Sequence, residues 1–362
     1  MSESAVHTWD GPTMDVAIKI WRVDENGDRD LVSYELEAPE WACLLDVLDL
    51  IKDRHDGTLA YRKSCRMMIC GSCGMRMDGR AVLACKERMK PIVESGHVPV
   101  ISPMGNLPII KDLVVDMGPF WQKIRDVKPW LDSGYDEASE RERVVSQQQM
   151  NVIQKEALCI MCGCCVSECN AMEADPDFRG PAALAKGMRF VGDPRDEAAV
   201  ERLNELNDEH GIWDCTRCYF CNERCPKGVD PRDAIAKLGA ESVKEGMDWD
   251  MGVKHAKWFV TSTKTTGWLR ETDLVPKTQG ILGALRETKF ALTLARRGKV
   301  PPPGPIHVAA DVDEARNLYD LVKEQGRDGA LGIVQGEAAL AKIEHIEAEK
   351  AHEEEEEEET SA

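Results

Sequence analysis

Between residues 14 and 23 apolar and polar side chains alternate, with Met14, Val16, Ile18 and Ile20 on one side and Asp15 and Lys19 on the other. That period of two marks a half-buried strand. Asp30 to Ala38 repeats the habit after Asn26-Gly27, a turn pair that predicts a β-hairpin. Residues 43 to 53 change period and place Leu44, Leu45, Val47, Leu48 and Ile51 on one helical face. Met75 to Met77 and Arg80 to Leu83 flank Asp78-Gly79 as a second predicted hairpin, and His97 to Ser102 supplies a further strand. From Asp112 onward the period is helical: Leu113 to Asp126 reads as a linker helix kinked near Pro119. Further helices are predicted near Glu197 to Glu209 and from Pro231 to Glu245, the latter with proline at its start.

The expected fold class is α+β, with a small strand-and-helix domain over residues 1–110 and an all-α domain over 111–245. Residues 246–350 form a C-terminal extension of unknown role, amphipathic in places. Pro301 to Pro305 is a stiff spacer, and 306–350 reads as strand, helix, strand, helix, taken as a docked surface appendage. Residues 351–362 carry the run Glu353 to Glu359, a solvated acidic tail.

Chemistry enters with the cysteines. Cys159, Cys162, Cys165 and Cys169, then Cys215, Cys218, Cys221 and Cys225 before Pro226, are each spaced C-x2-C-x2-C-x3-C. In that bacterial ferredoxin spacing three thiolates hold one cubane and the fourth crosses to the neighbouring cluster. The expected ligand sets are Cys159, Cys162, Cys165 and Cys225 for one 4Fe-4S centre, and Cys215, Cys218, Cys221 and Cys169 for the other. Upstream, Cys65, Cys70, Cys73 and Cys85 follow the plant-type spacing for a 2Fe-2S centre, on a loop whose glycines let backbone N–H groups approach sulfur. Structural zinc fits these runs poorly, because a zinc site closes with four ligands at two knuckles. Fourteen cysteines in 362 residues is also too sparse for a disulfide scaffold. Of the two left over, Cys43 is expected to be a small buried hydrophobe and Cys164 to point away from the cluster.

A net charge of −19 argues against nucleic acid or anionic lipid as a direct partner. No apolar stretch is long enough to span a bilayer; Leu282 to Ala295 is broken by Arg286, Glu287 and Lys289. Unpaired thiols and oxygen-labile cubanes favour a reducing compartment.

The plant-type loop from Ser64-Cys65-Arg66 to Leu83-Ala84-Cys85, the segment Leu107 to Met117 and the run Cys225-Pro226-Lys227-Gly228 together resemble the iron-sulfur subunit of succinate dehydrogenase and fumarate reductase. The resemblance covers roughly residues 14 to 245. It implies a β-grasp 2Fe-2S ferredoxin domain followed by an α-helical ferredoxin domain with two cubane-type clusters. It also implies a chain that relays electrons between an FAD flavoprotein subunit and a membrane anchor that handles quinone. Such a subunit of a bacterial enzyme would sit peripherally on the cytoplasmic face of the plasma membrane and hold no dicarboxylate site. Another flavin- or thiol-linked oxidoreductase is the alternative host for such an electron carrier.

Two departures from the family pattern stand out. Many members lack a cysteine at the position of Cys218 and hold a 3Fe-4S cluster with the equivalents of Cys169, Cys215 and Cys221. With Cys218 present as fourth ligand, the third centre is expected to be 4Fe-4S, with 3Fe-4S as the alternative. The family's Pro-Ser and Trp pair after Cys169, and the His after Cys215, are replaced here by Asn170 to Ala174 and by Thr216. No quinone contact therefore carries over, and Trp213, Tyr219 and Phe220 are the aromatic residues available near the third centre.

Overall fold

A computed structural model of the chain describes residues 11–24, 26–133, 144–247, 249–299 and 308–324. The spacer Pro301 to Pro305, the acidic tail and the second strand and helix expected in 306–350 lie outside them. The chain divides into two compact units after Leu238.

The first unit opens with β1 (Thr13–Val23) and β2 (Arg29–Pro39), antiparallel throughout with Ile18 opposite Tyr34. Next come α1 (Leu44–Arg54), β3 (Gly74–Met77), β4 (Arg80–Leu83), α2 (Met89–Glu94) and β5 (Val100–Ser102). They complete a mixed five-stranded sheet of order β2-β1-β5-β3-β4, with β5 parallel to β1 and antiparallel to β3. The alternation along β1 puts Val16, Ile18 and Ile20 on the buried face, where α1 lays Leu44, Leu45, Val47, Leu48 and Ile51 against them. Asp78 and Gly79, both with positive φ, make the tight turn between β3 and β4 that their sequence predicts.

Beyond the sheet the linker departs from expectation. Leu113 to Val115 is not helical: β6 (Ile109–Lys111) and β7 (Val114–Val115) form a small antiparallel pair, and α3 (Gly118–Asp126) starts only afterwards. Pro119 occupies the first turn of α3, where its missing N–H costs nothing, instead of kinking a longer helix. The remainder is helical: α4 (Gln147–Ala157), α5 (Cys164–Ser167), α6 (Asn170–Ala174), α7 (Pro181–Val191), α8 (Ala199–Leu206), a 3-10 turn at Ile212–Asp214, α9 (Phe220–Glu223) and the first part of α10 (Pro231–Lys244), within which the division falls.

The second unit contains α11 (Met251–Thr266), α12 (Glu271–Arg286), α13 (Thr288–Arg296) and α14 (Val312–Glu324). Here α14 packs on α11 through Tyr319 to Thr263 at 2.6 Å and Arg316 to the carbonyls of Lys264 and Thr265. No helix among the described residues is long and apolar enough to cross a membrane.

Candidate metal centres

The loop carrying Cys65, Cys70 and Cys73 is wound by left-handed backbone at Arg66, Met68 and Gly71. That winding turns the N–H groups of Met67, Ile69 and Cys70 onto Cys65 Sγ at 3.3, 3.4 and 3.3 Å. Cys70 Sγ accepts the Cys65 N–H at 3.4 Å and the Ser72 hydroxyl at 3.3 Å. These donors favour thiolate, and the Cys70 thiol is accordingly pulled down to about 6, chiefly by the Ser72 hydroxyl. Cys73 lies at the buried base of the loop beside Cys85, and burial pushes its thiol up to about 12. The loop is pinned to α1 by Arg66, which reaches both Asp46 and Asp49.

The two later runs share one backbone design. Met161 and Gly163 in the first, and Arg217 and Tyr219 in the second, all have positive φ, and each pair leads into a single helical turn, α5 or α9. A left-handed residue two and four positions after the leading cysteine therefore recurs in both. The sulfur atoms are crossed between runs: Cys159, Cys162, Cys165 and Cys225 line one cavity, and Cys169, Cys215, Cys218 and Cys221 line a second. Asp175, at the end of α6, takes His210 Nδ1 at 2.7 Å, and the Arg179 N–H donates to the His210 carbonyl at 2.9 Å. These two bonds tie the segment after Cys169 to the segment before Cys215.

The plant-type loop meets the first of these runs directly. A Cβ at Gly71 would sit 2.6 Å from Cβ of Cys162, so only glycine allows the two cysteine loops to touch. Arg76 of β3 adds Nε bonds to the Ser167 hydroxyl at 3.1 Å and to Glu168 at 2.8 Å. Asn106 donates to the carbonyls of Val166 and Cys169 at 2.8 and 2.9 Å.

The second cavity holds a polar atom with no protein partner. Arg232 lines it, its guanidinium lies 4.4 Å from the Tyr219 ring centre, and its buried Nε–H has no hydrogen-bond partner in the protein. An orphaned N–H costs free energy unless an acceptor reaches it, and cluster sulfur is such an acceptor. Four thiols around each cavity with donors turned inward suit iron-sulfur clusters.

Three expectations need adjusting. Cys43 is half-buried and works as a helix cap: its thiol donates to Asp46 at 3.0 Å, and the Cys43 N–H reaches the same carboxylate at 2.9 Å. Cys164 is fully buried in the core of the sheet, yet it still acts on the cluster loop, helping to hold the Cys162 thiol below its ordinary value. Trp213 spends its indole N–H on Asn207. Sequence reasoning missed Arg232, Gly71 as a contact point and Asn106; Arg232 follows Pro231 directly, and only the chain path shows that it faces the second cavity.

Residues 17–122 match the model of a 2Fe-2S iron-sulfur cluster binding domain, and residues 157–229 that of a 4Fe-4S dicluster domain. The 8-methylmenaquinol:fumarate reductase iron-sulfur subunit of Wolinella succinogenes is 36% identical over 264 residues, 72% of this chain and 82% of the relative. The chain belongs to the fumarate reductase and succinate dehydrogenase iron-sulfur subunit family. The fumarate reductase iron-sulfur subunit of Mycobacterium tuberculosis is 43% identical over 201 residues, 55% of this chain and 79% of that one. Among solved structures, a chain of the Mycobacterium smegmatis Sdh1 complex in the apo form superposes with a TM-score of 0.60 at 25% identity, covering 66% of this chain and 99% of its own length. As a member of the family the chain carries 2Fe-2S and 4Fe-4S clusters.

Proposed function

We propose that this subunit relays electrons, one at a time, between an FAD flavoprotein subunit and a quinone-reactive membrane anchor. Cys65, Cys70, Cys73 and Cys85 would hold the 2Fe-2S centre, and Cys159, Cys162, Cys165 and Cys225 the middle cubane. Cys169, Cys215, Cys218 and Cys221 would hold a second 4Fe-4S centre. Clusters bound there supply one-electron carriers whose potentials depend on charge, hydrogen bonds to sulfur and exposure. The reading rests above all on the contact of Gly71 with Cys162, which brings the first two cysteine groups together without intervening side chains.

The chain's own residues do three things in this scheme. Backbone N–H groups turned onto Cys65 stabilise charge on sulfur. The left-handed positions aim the first three thiols of each run at one cavity, and the fourth crosses to the other. The stacked pair of Arg232 and Tyr219 lines the cavity of the third centre and places positive charge beside it. The reading includes no dicarboxylate site on this chain, since reduction and oxidation of the acid would take place on the flavoprotein. It places the subunit peripherally, on the cytoplasmic side of the membrane.

Purification of the native complex tests this. The expected result is a covalent-flavin subunit co-purifying with the chain, with succinate-dependent dye reduction and three centres in redox-titrated EPR. Isolation with a thiol-linked or other flavin partner and no such dye reduction would transfer the relay to a different oxidoreductase. Cys218 has its own test: Cys218→Ser should convert a third centre that is EPR-silent when oxidised into one with a three-iron signal. A three-iron signal already present in the unaltered protein would remove Cys218 from the ligand set.

A further inference from the structure

Charge is not spread evenly along this chain. Between Met251 and Lys299 stand ten Lys and Arg against three Asp and Glu, a local excess of +7 in a chain of net −19. The whole-chain charge, which argued against an anionic lipid partner, conceals that reversal. The same segment exposes large apolar side chains. Gly280, at φ 73, breaks α12, and past the break Ile281, Leu282 and Leu285 are 65–79% exposed. In α13 no residue is buried. At 100° per residue, Phe290, Ala291, Leu292, Leu294 and Ala295 share one arc of α13 and Lys289, Thr293 and Arg296 the other.

Exposed large apolar side chains concentrated on two successive helices mark an interaction site. Its chemistry selects the occupant. A second copy docked on the same face would bring Arg286, Lys289, Arg296, Arg297 and Lys299 against their own duplicates, with Glu287 as the one acid between Lys277 and Lys299. An anionic lipid leaflet offers what this face lacks: negative headgroups for the basic rim and acyl chains for Phe290 and the leucines. We propose that α13 and the second half of α12 form an interfacial element that lies on an anionic membrane surface. The inference goes beyond the electron relay, which needs no lipid contact from this chain, and assigns work to the extension.

Vesicle partition of the cluster-loaded full chain, without any anchor subunit, tests it. Vesicles of phosphatidylcholine mixed with phosphatidylglycerol should take up the chain at least about tenfold more strongly than phosphatidylcholine alone, and the preference should fade with added salt. Arg296→Glu combined with Arg297→Glu should remove the preference, and Phe290→Glu should abolish uptake, both with the cluster absorbance of the unaltered chain. Phe290→Trp should blue-shift its emission on the anionic vesicles only. Equal uptake by both vesicle types, no uptake, or a concentration-dependent dimer that Phe290→Glu dissolves would each overturn the proposal. None of these outcomes bears on whether the clusters carry electrons.

Discussion

Arg232 and Cys43 show how much a single side chain can decide. Arg232 lines the cavity of Cys169, Cys215, Cys218 and Cys221 and has a buried Nε–H without a protein partner; a bond from it to sulfur would favour the more negative, reduced state. Arg232→Leu should therefore lower the midpoint potential of the third centre. One charge-assisted hydrogen bond of about 1.5 kcal/mol corresponds to roughly 60 mV for one electron, readable by redox-titrated EPR with the other two centres as internal references. An unchanged potential would mean that Nε–H does not reach the cluster. Cys43 works in the opposite sense. Burial, helped by the bond to Asp46, pushes its thiol up to about 11 from an ordinary 9.0. The folded state thus prefers the protonated thiol. Its contribution is complete below pH 9 and is lost as pH rises from 9 toward 11. At neutral pH Cys43 should resist iodoacetamide in the folded protein, and Cys43→Ser, which keeps a capping oxygen, should flatten the loss of stability above pH 9.

The strands and the first helix were legible because each buries one face of a regular period. Val16, Ile18 and Ile20 alternate, and Leu44 to Ile51 recur at helical spacing, so local pattern and tertiary packing agree. Leu113 to Val115 misled because three apolar residues in a row fit either period, and their state is set from a distance. Asp112, 1% exposed, accepts the Val23 N–H at 3.0 Å and Arg22 Nε at 2.9 Å on Oδ1, and the Ala60 N–H at 2.8 Å on Oδ2. These bonds clamp the turn between β6 and β7 beside the end of β1, and no window of sequence contains Asp112 and all three partners. Asp112→Ala leaves Arg22 and two backbone donors short of an acceptor, and should cost about 3 kcal/mol or more in denaturant unfolding. Ligand spacing likewise announced the cysteine runs, whereas the contact between loops joins Gly71 to Cys162, far apart in the chain. Gly71→Ala places a methyl group against Cys162 and sets an unfavourable φ at once. It should disturb the first two centres together, seen as reduced 2Fe-2S absorbance and a changed EPR line shape for the middle centre. A variant with normal spectra would show that the loops can separate without consequence.

Order in the helical part of the first unit rests on cysteine more than on helices. Met161, Arg217 and Tyr219 each hold left-handed backbone at a cost of about 1 kcal/mol. The single turns α5 and α9 have four residues each, far below the length that sustains a helix in water. What opposes these costs, on the proposed ligand sets, is thiolate–iron bonding, and the sets are crossed, so each run closes both cavities. The sheet has a different source of stability, the apolar contact of β1 and β2 with α1. Anaerobic removal of iron by a chelator, followed by hydrogen exchange, should therefore split the unit. Amides of residues 159–169 and 215–225 should lose protection together, at one rate, while those of β1 and β2 stay protected. If one run opened while the other remained closed, each run would be holding its own metal, and the crossed pairing would be wrong.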